Sequence, residues 1–187
     1  MVELIHWFST NYSKHKKALL ESHHNFDDKD TNPYHVEGDC WSHTMMVCKV
    51  AELKGYDRVV QVAALLHDIG KPASRKINPQ NNHVQFFGHE ALSAKMAVPL
   101  VKELVKRNLL ENMDEAHEVL ELIELHAYLY QESDVNVIYE KFKNRFEFFK
   151  HLLDLRVCDD LGRFSKTMGE SSLDTKAILE KIEKNCC

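Results

Sequence analysis

Apolar positions along the chain recur mostly at three- and four-residue spacing, the period of helices that bury one face. Two short helices are predicted over "VELIHWFSTNY" (2–12) and "SKHKKALLESHH" (13–24), followed by a long polar loop, "NFDDKDTNPYHVEGD" (25–39), with turn residues at Asn32-Pro33 and Gly38. Asp39 is placed to cap a helix through "CWSHTMMVCKVAELKG" (40–55), with Gly55 as its stop. "DRVVQVAALLHDIGKP" (57–72) is apolar on nearly every side, as a central helix is, and Gly70 and Pro72 read as its stop signal. A polar connection over 73–90 holds one short extended piece at "HVQFF". A helix then opens near Gly88-His89-Glu90 and runs to Arg107, interrupted or kinked around Pro99. Further helices are predicted over 113–130, 134–142 and 145–163, and a last amphipathic one over 173–187.

This pattern implies a single all-α domain over residues 1–187, a helical bundle, and the composition agrees: 44% hydrophobic, 9% aromatic, six Gly and four Pro. No apolar run reaches the roughly 18 residues of a membrane span, and the start lacks signal-peptide order, so a soluble, cytoplasmic protein with no membrane partner is expected. Net charge is −5 and the basic residues are scattered, which excludes an extended nucleic-acid track and favours a small nucleotide or RNA-end phosphate as ligand. The five cysteines (Cys40, Cys48, Cys158, Cys186, Cys187) include no C-x-x-C and read as free thiols. Oligomeric state is not encoded in any of these features.

The twelve histidines change the picture. His43 shares a helix face with Val47 and Val50, and His67-Asp68 ends the central helix. His89 starts the next one, His126 continues the stripe Val119, Leu122, Ile123, and Asp159 continues Phe148, Leu152, Leu155. Five segments thus bring a metal-ligand type to an inward face, where an unpaired polar group costs several kcal/mol on the usual estimates. Imidazole and carboxylate without paired thiolates suit one or two divalent ions (Mn, Fe, Ni, Co or Zn, with Mg also admissible). Four His and two Asp exceed one four-coordinate ion, whereas two ions bridged by a carboxylate use the whole set and form a known clamp for displacement at phosphorus.

The order His43, His67-Asp68, Asp159 resembles the H…HD…D signature of the HD-domain metal-dependent phosphohydrolases, an all-helical superfamily. "NPYHVEGDCWSHT", "ALLHDIGK", "FFGHE" and "CDDLGR", spanning residues 32–163, resemble the HD domain attached to bacterial CCA-adding tRNA nucleotidyltransferases. The resemblance implies a metal-dependent hydrolase of nucleotide phosphoesters, with 2′,3′-cyclic phosphodiesterase or nucleotide phosphatase activity. It also implies that His43, His67, Asp68 and Asp159 hold a first ion, that Asp68 bridges, and that His89 and His126 complete a second site. Asp160 adjoins Asp159; the D-x-x-G-R spacing to Gly162 and Arg163 and the better helical phase favour Asp159. The sequence contains no nucleotidyltransferase domain, so nucleotide addition is not inherited with the motif.

In this reading Asp68 and Lys71 carry the catalysis, water is the nucleophile, and Lys71 either offsets charge on a phosphate oxygen or only complements a helix dipole. Arg75, Arg163, His35 and His83 are the substrate-binding candidates, with an ordinary surface role as the alternative for each. Glu90 either orients His89 or favours a helix N-terminus. Two other functions fit the same ligand types: a di-iron oxygenase, against which Lys71 and the CCA-enzyme-like motifs count, and a nucleotide-binding regulatory module with a structural metal.

Overall fold

The computed structural model describes residues 1–25 and 35–164. The turn at Asn32-Pro33, the helix expected over 173–187 and Cys186-Cys187 lie outside the described residues. The fold is all-α, with ten helical segments among the described residues: α1 (Val2–Asn11), α2 (Ser13–Glu21), α3 (Cys40–Lys54), α4 (Arg58–Leu66), the single turn α5 (Lys71–Ser74), α6 (His89–Lys106), α7 (Met113–Leu125), the single turn α8 (Tyr128–Gln131), α9 (Val135–Phe142) and α10 (Phe146–Leu161). No described helix is long and apolar enough to cross a membrane.

Helix α4 is the axis of the bundle. Val59, Val60 and all of Val62–Leu66 are buried, and α1, α3, α6, α7 and α10 all pack against it. A nine-residue helix surrounded in this way must be apolar on nearly every face, and in "VVQVAALL" Gln61 is the one polar position, half-buried. Local signals then set the ends of its neighbours. Asp39 accepts the Ser42 amide at 2.8 Å at the start of α3, and Gly55 closes that helix with φ of 67°, a backbone region that costs glycine nothing. Asn112 accepts the amides of Asp114 and Glu115 at the start of α7. The three described cysteines, Cys40, Cys48 and Cys158, are buried free thiols.

Several boundaries differ from those the pattern predicts. The second helix ends at Glu21 because the next residues pair with the segment entering α3: His24 donates to the Gly38 carbonyl, Cys40 donates to the Ser22 carbonyl, and His23 bridges Asp39. The central helix ends at Leu66, not at Gly70. Gly70 is right-handed (φ −85°), its amide donates to Ser93 Oγ at 2.9 Å, and Pro72 lies in the first turn of α5. The glycine is required for closeness instead: a Cβ there would stand 2.7 Å from the Ser93 amide nitrogen and 2.8 Å from the His89 carbonyl oxygen. The connection to α6 is a small hairpin in which Lys76–Ile77 (β1) pairs antiparallel with Val84–Gln85 (β2), so the extended piece at "HVQFF" has a partner strand that the polar sequence of 73–83 does not advertise. Helix α6 runs through Pro99 without interruption; Pro99 and Lys95 are both exposed, so the carbonyl that loses its amide partner faces water. The helix expected over 113–130 is split into α7 and α8.

Candidate metal centre

Two of the breaks in helical structure have the same cause. His67 directly follows the last residue of α4 and His126 that of α7, and each ring Nδ1 donates to the carbonyl three residues back, Ala64 at 2.9 Å and Ile123 at 2.6 Å. The side chain thereby takes a carbonyl that the next turn of backbone would have used, and the helix stops. His89, at the start of α6, does likewise: Nδ1 donates to the Phe86 carbonyl at 2.8 Å. Since a carbonyl only accepts, the Nδ1 proton of each ring is committed to the backbone and Nε2 is the atom turned into the site. His43, buried in α3, has its Nδ1 3.1 Å from Glu37 Oε1.

These Nε2 atoms face one another. His67 Nε2 lies 3.4 Å from His43 Nε2, and His89 Nε2 lies 3.2 Å from His126 Nε2. Asp68 stands between the two pairs. Its Oδ2 is 3.2 Å from His67 Nε2 and 3.7 Å from His43 Nε2, while its Oδ1 is 3.4 Å from His89 Nε2 and 3.9 Å from His126 Nε2. Asp159 Oδ1 completes the first side, 3.0 Å from His43 Nε2. His43, His67 and Asp159 thus form one trio with mutually close ligand atoms, and Asp68, His89 and His126 form another.

Electrostatics follow the geometry. Burial alone would raise the carboxyl of Asp68, but His67 and Lys71 hold it well below the usual range; Asp159 is likewise held low by the hydrogen bond and charge of His43. Burial and the neighbouring His67 push His126 down to about 3, so its imidazole is neutral. For His43, burial is outweighed by its hydrogen bonds to Asp159 and Glu37, which raise it to about 9. A proton on His43 and a cation therefore compete for the same pair of atoms. The fit to a metal rests on the remaining contacts: imidazole Nε2 atoms turned toward each other, beside a buried carboxylate neither of whose oxygens makes a hydrogen bond of good geometry, are a donor set that suits a divalent cation next to the ammonium group of Lys71.

Of the other residues singled out from sequence, Lys71 is buried with Nζ 2.7 Å from Asp68 Oδ2, and its charged form is favoured by that carboxylate against the cost of burial. Lys71, His35 and Arg163 line a cavity of about 240 Å³ together with His67, Asp68, His89, His126, Asp159 and Tyr130. His83 is exposed on the hairpin, and Arg75 donates to the backbone carbonyls of His23 and Asn25; neither is brought to the cavity. Glu90 Oε2 is 3.4 Å from His89 Nδ1, which is already committed to a carbonyl. Asp160 does not share the inward position of Asp159; it accepts from Arg156 and Arg163.

Three residues at the site carry no signal in the linear pattern. His24 is fully buried, with Nε2 3.4 Å from Lys71 Nζ. Glu37 receives both His35 Nδ1 (2.6 Å) and His43 Nδ1. Tyr130, four residues beyond His126, places its hydroxyl 2.7 Å from Asp159 Oδ2. His24, His35 and Glu37 also cluster, but the two rings stack at 4.2 Å and 10°, so their lone pairs run side by side instead of converging, and Lys71 already supplies a cation there.

The HD domain family model matches residues 40–159, well over half of the chain and inclusive of every member of both trios. The Multifunctional CCA protein of Burkholderia cenocepacia (strain HI2424) is 38% identical over 71 residues, 38% of this chain and 16% of that protein. Those of Burkholderia vietnamiensis (strain G4 / LMG 22486) and Paraburkholderia phytofirmans (strain DSM 17436 / LMG 22146 / PsJN) are 41% and 38% identical over the same length. The aligned region covers 16% of each of these relatives.

Proposed function

We propose that this chain, which belongs to the HD-domain family of metal-dependent phosphohydrolases, hydrolyses nucleotide phosphoesters as a 2′,3′-cyclic phosphodiesterase or nucleotide phosphatase. His43, His67 and Asp159 would hold one divalent ion, His89 and His126 a second, and Asp68 would bridge them. Bound there, the ions would lower the pKa of water toward neutrality and neutralise charge on phosphoryl oxygens. The single observation that carries this reading is Asp68, which turns one oxygen to each pair of facing imidazoles.

The chain's own residues do the rest. Lys71 Nζ lies beside the bridging carboxylate and on the cavity wall, where its ammonium group can meet a non-bridging phosphate oxygen as charge builds on it. Arg163 brings a second cation to the same wall. At about 240 Å³ the cavity is smaller than the usual range for a whole small-molecule ligand, which fits a phosphate end entering while the nucleoside stays outside. His24 and the carboxylate of Asp68 hold Lys71 in place, and the Phe86 ring lies 5.4 Å from its ammonium group.

Hydrolysis of 2′,3′-cyclic, 3′,5′-cyclic, mono- and triphosphate nucleotides by the metal-loaded protein, with and without oxygen, tests the reading. The expected result is release of a phosphomonoester or phosphate that a chelator stops and that anaerobic conditions leave unchanged. Turnover that depends on dioxygen would replace it with the oxygenase reading.

A further inference from the structure

Asp159 has two oxygens and two kinds of neighbour. Oδ1 faces His43 Nε2 at 3.0 Å, while Oδ2 takes the hydroxyl of Tyr130 at 2.7 Å. The same hydroxyl is 2.8 Å from Asp160 Oδ1, and one O–H donates one proton. The surroundings decide which carboxylate receives it. Asp160 is already served by two guanidinium groups, Arg156 Nε on Oδ2 at 2.7 Å and Arg163 Nη2 on Oδ1. Among the described residues no Lys or Arg pairs with Asp159 Oδ2, so the hydroxyl proton belongs there. The Tyr130 ring is clamped in turn, with the Arg156 guanidinium carbon 3.3 Å from its centroid and that of Arg163 at 5.0 Å.

We infer that Tyr130 is a positioning residue for the metal centre: by holding Asp159 Oδ2 it fixes which carboxylate oxygen is turned to His43 and His67. The inference rests on the proposed function, in that Asp159 must be a ligand, and adds a residue to which no part of the motif points. Tyr130 also follows His126 by four residues across the break between α7 and α8, so this short stretch supplies a ligand to one trio and the orienting hydroxyl to the other. A ligand that has lost its orienting hydrogen bond typically binds its metal about 10–100-fold more weakly.

The test is titration of the metal-free protein with Co²⁺ against a competing chelator, followed by visible absorption, for wild type, Asp159→Ala, His126→Ala and Tyr130→Phe. Phenylalanine keeps the ring on Arg156 and removes only the hydroxyl. The expected result is that Tyr130→Phe weakens, by about 10–100-fold, the ion that Asp159→Ala abolishes and leaves the ion lost in His126→Ala at wild-type affinity. A Tyr130→Phe titration identical to wild type, or one weakened equally at both ions as general loosening would do, overturns the proposal while the metal reading stands. Failure of wild type to bind Co²⁺, or binding unaffected by Asp159→Ala, overturns the metal reading and this proposal with it.

Discussion

Two groups of histidine and carboxylate in this molecule use the same residue types and differ in wiring. Around His151, on α10, both ring nitrogens meet carboxylates: Nδ1 is 2.7 Å from Glu118 Oε1 and Nε2 is 3.1 Å from Asp57 Oδ2. Every contact there joins a donor to an acceptor, and the group is complete as it stands. In the centre around Asp68 the Nδ1 protons of His67, His89 and His126 are spent on backbone carbonyls, and the Nε2 atoms face other imidazoles. What separates His151 from His67, His89 and His126 is where the Nδ1 proton is sent. The residues that receive those protons, the carbonyls of Ala64, Phe86 and Ile123, are invisible to any count of histidines.

Asp68→Asn breaks the contrast most severely. Removing the charge shared by both trios should release both ions and take hydrolysis to background, measured by metal analysis beside turnover; retention of two ions would show that the carboxylate does not bridge. Next comes Lys71→Ala, which should keep the metal and lose about 2.7–4 kcal/mol of transition-state stabilisation, a factor of about 10²–10³ in rate. Lys71→Arg should recover little, because a planar fork does not replace a compact ammonium group packed against Asp68 and His24. Normal turnover by metal-loaded Lys71→Ala would leave the lysine only a structural role.

The smallest effect belongs to the other cluster. Burial lowers the His151 pKa, but hydrogen bonds to Glu118 and Asp57 outweigh it and raise the value above 6.5. A raised histidine pKa adds stability that is full below the unfolded value near 6.5 and fades as pH rises through the folded value. His151→Gln should therefore cost about 1 kcal/mol at pH 6 and less at pH 9, seen as a pH-dependent difference in melting temperature, with metal content and turnover unchanged. A loss of metal in that variant would erase the distinction between the clusters.

Much of the fold was legible because burial and helical period leave the same mark: the axial helix, the cap at Asp39 and the stop at Gly55 all follow from the linear pattern. The inward positions of His43, His67, His126 and Asp159 were legible for the same reason, each extending an apolar stripe. Helix ends at Leu66 and Leu125 were not, because what ends them is a ring nitrogen reaching back to a carbonyl, and propensity does not record that. His24 and Glu37 were missed because their partners Lys71 and His43 are distant or on another element, and a polar loop gives no phase to read. Arg75 has the chemistry for phosphate, but its guanidinium holds the carbonyls of His23 and Asn25.

Gly70 gives this arrangement its gauge. At that point the backbone of the turn carrying His67 and Asp68 rests on the backbone of α6, which carries His89, with only a hydrogen atom between them. Rotamers can give way elsewhere, but here no compliant layer separates the two halves of the centre. The span between the trios is therefore machined into the main chain, and its tolerance is narrower than a methyl group.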